Sequence, residues 1–171
     1  GTYLSDAQTS ADLHNSKSDC TSCSAGMYSS TLGAKSSSTC IICTAGKWGR
    51  VAAGACTACL QGKYLTDTGT NITFHNEEAD CADCTAGKAG TVEGSNSETN
   101  CEACEAGSWS SSGASGCTKC TKGKYLEGGG AVEAHNEESD CKLCDAGKSS
   151  SDTGAKSETN CQTCGAGRYS T

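Results

Sequence analysis

Sixteen cysteines are the residues of this sequence with the clearest chemistry, and all of them occur in Cys-x-x-Cys pairs. The eight pairs begin at residues 20, 40, 56, 81, 101, 117, 141 and 161. Such a pair can bind zinc, act as a redox centre, or contribute one cysteine to each of two structural disulfides. The choice decides whether the chain is a metalloprotein, an enzyme or a disulfide-stabilised repeat protein.

The pairs are periodic along the chain. Successive pairs begin 20, 16, 25, 20, 16, 24 and 20 residues apart, which gives a super-repeat of three modules and 61 or 60 residues. A module here runs from the first cysteine of one pair to the residue before the next pair. The sequence divides into a partial module (1–19), two three-module super-repeats (20–80 and 81–140) and a partial super-repeat (141–171).

Zinc and redox chemistry fit this period less well than disulfides do. The spacing in 20–43 and 81–104 suits a four-cysteine zinc site, but such sites use two pairs each and would give equivalent modules different partners. A thioredoxin-like centre needs a βαβ framework and one privileged pair, whereas these eight pairs are alike. We therefore expect no cofactor, with zinc left open as the alternative.

Disulfides between successive modules keep all modules equivalent. If the second cysteine of each pair bonds the first cysteine of the next, the bonds are Cys23–Cys40, Cys43–Cys56, Cys59–Cys81, Cys84–Cys101, Cys104–Cys117, Cys120–Cys141 and Cys144–Cys161. Each would stabilise the fold by about 3 kcal/mol on the chain-entropy model. Bonds from first to first and second to second cysteine are sterically possible too, although they break the triple period. Disulfides predict an oxidising compartment, here the extracellular space or the cell surface.

The two outermost cysteines have no partner in the chain-linked scheme. These are Cys20 and Cys164. Gly1 aligns with Gly62 and Gly123, which each stand three residues after a second cysteine. We therefore expect the sequence to be a window from a longer tandem array, with both thiols bonded to cysteines outside it.

The composition predicts a fold that depends on cross-links. With 22 glycines, no proline and eight aromatic residues, the chain has too few large side chains for one hydrophobic core. A glycine stands three residues after the second cysteine of every module, which indicates a positive φ or close packing. In six of eight modules an aromatic residue follows two positions later, and we expect it over its own disulfide or the next module's glycine.

Short runs such as "KYL" and "KWG" between turn residues predict small β-hairpins. No apolar period is long enough for a helix. The predicted fold class is a small disulfide-rich repeat of irregular short β-hairpins and loops in an elongated solenoid-like rod, with almost no helix.

The run C-x-x-C-[ST]-A-G-x-[YW]-S, with G-A-x-S before the next pair, resembles the ephrin-receptor-like cysteine-rich repeat. It is also similar to the first loop of tumour-necrosis-factor-receptor modules. The resemblance covers the whole chain and implies that the second cysteine of one pair closes onto the first cysteine of the next. It implies an architecture shared by receptor ectodomains and large surface proteins.

Three kinds of polar feature are further candidate sites. His14, His75 and His135 occupy one position of the super-repeat, and we interpret them as parts of a structural turn. The acids near residues 77–80 and 137–140 could bind Ca²⁺, but the first copy carries Ser16 and Lys17 there, so no required ion site is expected. Asn71 begins the sequon Asn-Ile-Thr and is predicted to carry a glycan.

Several function classes are excluded by charge and hydropathy. The net charge of −7 is opposite to the basic footprint of nucleic-acid-binding proteins. No apolar run reaches the roughly 20 residues that cross a bilayer, so no membrane insertion is expected. No nucleophile, base and orienting group occur together, so we expect no enzyme.

Two functions remain for this sequence. The first is a structural segment of an extracellular cysteine-rich repeat protein that forms a rod, surface appendage or filament, with glycans and with copies of itself or neighbouring modules as partners. The second is a ligand-binding or adhesion ectodomain of a cell-surface receptor.

Overall fold

The computed structural model describes residues 1–5, 14–128 and 132–168, and within them it confirms the prediction of a small disulfide-rich repeat of short hairpins with almost no helix. The described chain contains eight two-stranded antiparallel hairpins, seven disulfides in tandem and no α-helix. It is a small disulfide-rich repeat whose regular structure is limited to two-residue strands and single 3₁₀ turns.

Each hairpin joins one module to the start of the next. Its first strand follows the glycine common to the modules, and its second strand is the two residues between the cysteines of the following pair. The sixteen described strands pair as β1 (Thr2–Tyr3) with β2 (Thr21–Ser22), β3 (Met27–Tyr28) with β4 (Ile41–Ile42), β5 (Lys47–Trp48) with β6 (Thr57–Ala58), β7 (Lys63–Tyr64) with β8 (Ala82–Asp83), β9 (Lys88–Ala89) with β10 (Glu102–Ala103), β11 (Ser108–Trp109) with β12 (Thr118–Lys119), β13 (Lys124–Tyr125) with β14 (Lys142–Leu143), and β15 (Lys148–Ser149) with β16 (Gln162–Thr163).

Single 3₁₀ turns make up the other regular structure of the described residues. Six of them end at the residue before a cysteine pair: Lys17–Asp19, Ser37–Thr39, Glu78–Asp80, Glu98–Asn100, Glu138–Asp140 and Glu158–Asn160. Two more, Ile72–Phe74 and Val132–Ala134, end at the residue before a histidine. Side-chain caps hold several of them. The backbone N–H groups of Asn76 and Glu77 donate to the Asp80 carboxylate at 2.8 and 3.0 Å, and Asp140 accepts the same two bonds in the next super-repeat. The caps satisfy donors that so short a turn leaves free.

The chain divides into two compact units. The first comprises Gly1–Leu60, Tyr64–Ala82 and Glu93–Ser97, and the second comprises Gln61–Lys63, Asp83–Val92 and Glu98–Thr171. Cysteine supplies most of the buried apolar residues in both. Each unit therefore has small apolar clusters around disulfides in place of one extended core.

No helix in the described part of the chain has the length and apolarity needed to cross a bilayer.

Candidate functional site

The features that recur in every module are its disulfide and the contacts of its glycine. In the structure the second cysteine of each pair bonds the first cysteine of the next. The seven bonds are Cys23–Cys40, Cys43–Cys56, Cys59–Cys81, Cys84–Cys101, Cys104–Cys117, Cys120–Cys141 and Cys144–Cys161. All modules between the first and the last of these bonds therefore share one covalent pattern.

We call the glycine three residues after each second cysteine the module glycine. The eight module glycines are Gly26, Gly46, Gly62, Gly87, Gly107, Gly123, Gly147 and Gly167. Their backbone groups connect successive modules. The N–H of Gly26 donates to Gly49 O of the next module at 2.7 Å, and the Gly26 carbonyl accepts from Cys43 N at 2.9 Å. Glycines 46, 62, 87, 107 and 123 donate the equivalent bond, over 2.7 to 3.0 Å.

A second contact explains why these positions are glycine. The φ angle of Gly46 is +75° and that of Gly107 is +81°, a region that L-residues with a Cβ avoid. A Cβ on Gly46 would also overlap the carbonyl oxygen of Gly94, and one on Gly107 would overlap that of Gly154. Both carbonyls belong to the module two further along the chain. The sequence prediction of a positive φ or close packing is thus confirmed in both its forms.

These contacts repeat with the period of three modules. Gly1 and five module glycines have a carbonyl group that would overlap a Cβ, and they form three equivalent couples. The contacts Gly1–Ala52 and Gly62–Gly113 are the first couple, Gly26–Ile72 and Gly87–Val132 the second, and Gly46–Gly94 and Gly107–Gly154 the third. Within a couple, the residue numbers of the second contact are 60 or 61 higher than those of the first. Each module type therefore has its own partner two modules ahead, and that partner is the same in the next super-repeat.

The two tryptophans pack on a disulfide of the following module. Trp48 is 5% exposed and clusters with Cys59, Cys81 and Leu65, while the Arg50 guanidinium lies 5.3 Å from its ring centroid. Trp109 packs against the equivalent Cys120, Leu126 and Cys141 cluster. Both tryptophan rings thus lie on the next module's disulfide, which differs from the predicted position over their own disulfide or the next module's glycine. The hairpin register explains this, because Trp48 lies opposite Thr57, two residues before Cys59.

Two histidines anchor the longest loops to the preceding module. His75 and His135 have no exposed surface. The Nδ1–H of His75 donates to Lys47 O at 2.7 Å, and the Nδ1–H of His135 donates to Ser108 O at 2.6 Å; a carbonyl oxygen can only accept. Each ring therefore binds its loop to a backbone carbonyl of the preceding module, in agreement with a structural role for these histidines. His14 also has an interaction in the structure.

The second nitrogen of each ring contacts its own loop, and here the two copies differ. His75 Nε2 lies 2.8 Å from Asp67 Oδ1, whereas His135 Nε2 lies 2.7 Å from the Gly128 carbonyl oxygen. Asp67 also accepts from the Thr70 hydroxyl at 2.8 Å and from the N–H groups of Gly69 and Thr70. The hydroxyl of Thr70, and after it the ring of His75, hold the pKa of Asp67 well below its usual range.

The remaining predicted site residues lie apart from these contacts. Cys20 and Cys164 are unpaired and half-buried. Asn71 is exposed at the start of the Ile72–Phe74 turn. Within residues 1–5, 14–128 and 132–168, no group of three or more His, Cys, Asp or Glu side chains is arranged to hold a metal ion. The acids at 78 and 80 belong to a capped turn, with Asp80 accepting backbone hydrogen bonds.

Comparison with known proteins does not assign the chain to a family. No protein-family model matches it, and no curated protein is significantly similar to it.

The contacts of a module with the second module after it were not visible in the sequence. The recurrence of glycine indicated a restricted position, but the carbonyl that fills the space lies 47 residues away in the case of Gly107 and Gly154. The sequence does carry one signal for this contact, a second set of glycines: Gly94, Gly113 and Gly154. Each has a positive φ and supplies the carbonyl that faces a module glycine.

Proposed function

We propose that this chain is a structural segment of an extracellular cysteine-rich repeat protein that forms a rod, a surface appendage or a filament. The observation that carries the proposal is the hydrogen bond from each module glycine to the next module, which recurs at six successive junctions from Gly26 to Gly123. A spacer has the same mechanical requirement at every step, and identical junctions meet it. Seven tandem disulfides suit an oxidising compartment.

The proposal includes the absence of catalysis. Histidine is the side chain best suited to acid–base chemistry near neutral pH, and the rings of His75 and His135 are fully buried against backbone carbonyls. Rings in that position hold loops and do not reach a substrate. The role proposed for them is structural.

The partners proposed for the segment are modules of the same kind. Gly1 and each module glycine from Gly26 to Gly107 lie against a module further along the chain, so the recognition surface of a module is another module. The bonding of Cys20 and Cys164 to cysteines outside this sequence remains part of the proposal.

Electron microscopy of native material tests the structural role. Long regular fibres or rods are expected, and they should lose their regular outline after reduction because the disulfides restrict every loop. A non-reducing peptide map of the same material should give the seven bonds and place Cys20 and Cys164 in cross-links. Isolated stalks attached to membranes, with no fibres, would contradict the proposal.

A receptor or adhesion ectodomain is the second candidate, and one observation favours it. Eight large apolar side chains of the described residues are exposed, and six of them lie in the first unit: Leu32, Ile41, Val51, Leu60, Ile72 and Phe74. Exposed apolar surface of this kind is typical of binding sites when it is contiguous. Saturable binding of the oxidised chain to cells, abolished by Leu32→Ser (a side chain 97% exposed), would favour this candidate over the structural one.

A further inference from the structure

The Ile72–Phe74 turn combines a glycosylation sequon with exposed apolar surface. Asn71-Ile72-Thr73 is the only Asn-x-Ser/Thr sequence in the chain. All residues from Asn71 to Phe74 are exposed, so an enzyme that modifies the folded or folding chain can reach them. The sequon therefore satisfies the requirement for access.

The hydrogen bonds of Asn71 involve only the oxygen of its side-chain amide. The N–H and the hydroxyl of Thr73 both donate to Asn71 Oδ1, at 3.0 and 2.8 Å. The amide nitrogen Nδ2, which is the atom that takes a sugar, has no hydrogen-bond partner among the described residues. The turn thus holds the side chain in one orientation and leaves its nucleophilic atom open to solvent.

Phe74 and Asn71 are the two ends of one turn. Asn71 caps the turn, and the backbone N–H of Phe74 donates to the Asn71 carbonyl oxygen at 3.2 Å, which brings the two residues close together. Phe74 is the only phenylalanine of the chain and is 53% exposed, and Ile72 beside it is 37% exposed. A half-exposed aromatic ring therefore belongs to the last residue of the turn that begins at the predicted attachment point.

The aromatic residue and the sequon occur in the same copy of the super-repeat and in no other. In the sequence of the following copy, Ala131 and Ala134 take the places of Asn71 and Phe74. In the first copy these places hold Ser10 and Leu13. The fold that all copies share therefore does not require Asn71 and Phe74, and their presence together points to a function of this one turn.

We propose that Asn71 carries an N-linked glycan whose first sugar packs on the exposed face of Phe74. In the transfer step Asn71 Nδ2 bonds to C1 of an oligosaccharide attached to a polyprenyl diphosphate. The bond from C1 to the diphosphate oxygen breaks, the diphosphate leaves with the electron pair, and Nδ2 releases one proton. The C–H groups on one face of the sugar then meet the electron-rich face of the aromatic ring, and apolar surface is removed from water.

The test uses the full chain secreted from cultured eukaryotic cells. Peptide N-glycosidase in heavy-oxygen water converts a glycosylated Asn71 to labelled Asp, which a peptide map detects. Label is expected in the wild type, in Thr73→Ser and in Phe74→Ala, and is expected to be absent in Thr73→Ala. Unlabelled Asn71 in the secreted wild type would overturn the proposal.

Packing of the sugar on the ring has its own readout. Hydroxyl-radical oxidation of Phe74 should be about twofold or more slower in the glycosylated protein than after enzymatic removal of the glycan, because one face of a half-exposed ring is covered. Leu32, which is 97% exposed, is the control and should be oxidised equally in both. Labelled Asn71 together with equal oxidation of Phe74 would refute the packing while leaving the site of attachment intact.

Discussion

Replacing Gly107 by alanine separates the two reasons for a module glycine. Alanine at a φ near +80° costs about 1–2 kcal/mol of folding free energy. At Gly107 the new Cβ also overlaps the carbonyl oxygen of Gly154, and overpacking of this kind costs about 1–3 kcal/mol more. Gly123 is the matched control, since its φ is +78° and no atom of the described residues lies within 4 Å of its Cβ position.

The measurement is guanidinium unfolding of the oxidised chain, followed by the fluorescence of Trp109 in a Trp48→Phe background. Trp109 packs in the second unit, which also contains Gly107 and Gly123. We expect Gly107→Ala to lower the free energy of unfolding by at least about 1 kcal/mol more than Gly123→Ala does. Equal losses in the two variants would show that close approach of the carbonyl does not determine the glycine, and no loss in either would refute the conformational argument as well.

Two further predictions concern the loop anchor and the disulfides. The lowered pKa of Asp67 means that its ionised form stabilises the loop above about pH 4, the unfolded value, and that this contribution is lost as the pH falls toward the folded value. Protection of the Thr70 amide from hydrogen exchange should therefore fall on acidification. The loop that ends at His135 is the control, because its histidine faces the Gly128 carbonyl in place of a carboxylate, and the His135 amide should keep its protection. A parallel decline in both loops would contradict this. Removing the Cys59–Cys81 bond by a double serine substitution should cost about 3–4 kcal/mol and expose Trp48, which is 5% exposed in the intact structure. The emission of Trp48 should shift to longer wavelength, and an unchanged spectrum would show that the ring does not depend on this bond.

The local elements of the fold were accessible from the sequence because they depend on nearby residues. Runs such as "KWG" and "KYL" predicted short strands, and β5 and β7 lie there. The glycine three residues after each second cysteine predicted the positive φ that Gly46 adopts. In each case a turn residue and its neighbours determine the backbone.

The partners of these elements were less accessible, for a physical reason. A strand of two residues has no alternation of polar and apolar side chains, so nothing in the sequence identified Thr57–Ala58 as the partner of Lys47–Trp48. The position of Trp48 on the next module's disulfide follows from that register. The ring contacts of His75 with Lys47 O and Asp67 depend on the folding of a long loop over the preceding module, which no local pattern encodes.

The contact of each module with the second module after it restricts how such a chain can change its length. Removing one module would present Gly46 with a carbonyl from a different module type, because the loops that supply Gly94, Gly113 and Val132 differ in length and sequence. Removing three leaves every glycine facing the type of carbonyl that it faces now, as the equivalence of Gly46–Gly94 and Gly107–Gly154 demonstrates. Gain or loss of a whole triplet is therefore the smallest change of length that preserves every one of these glycine–carbonyl contacts.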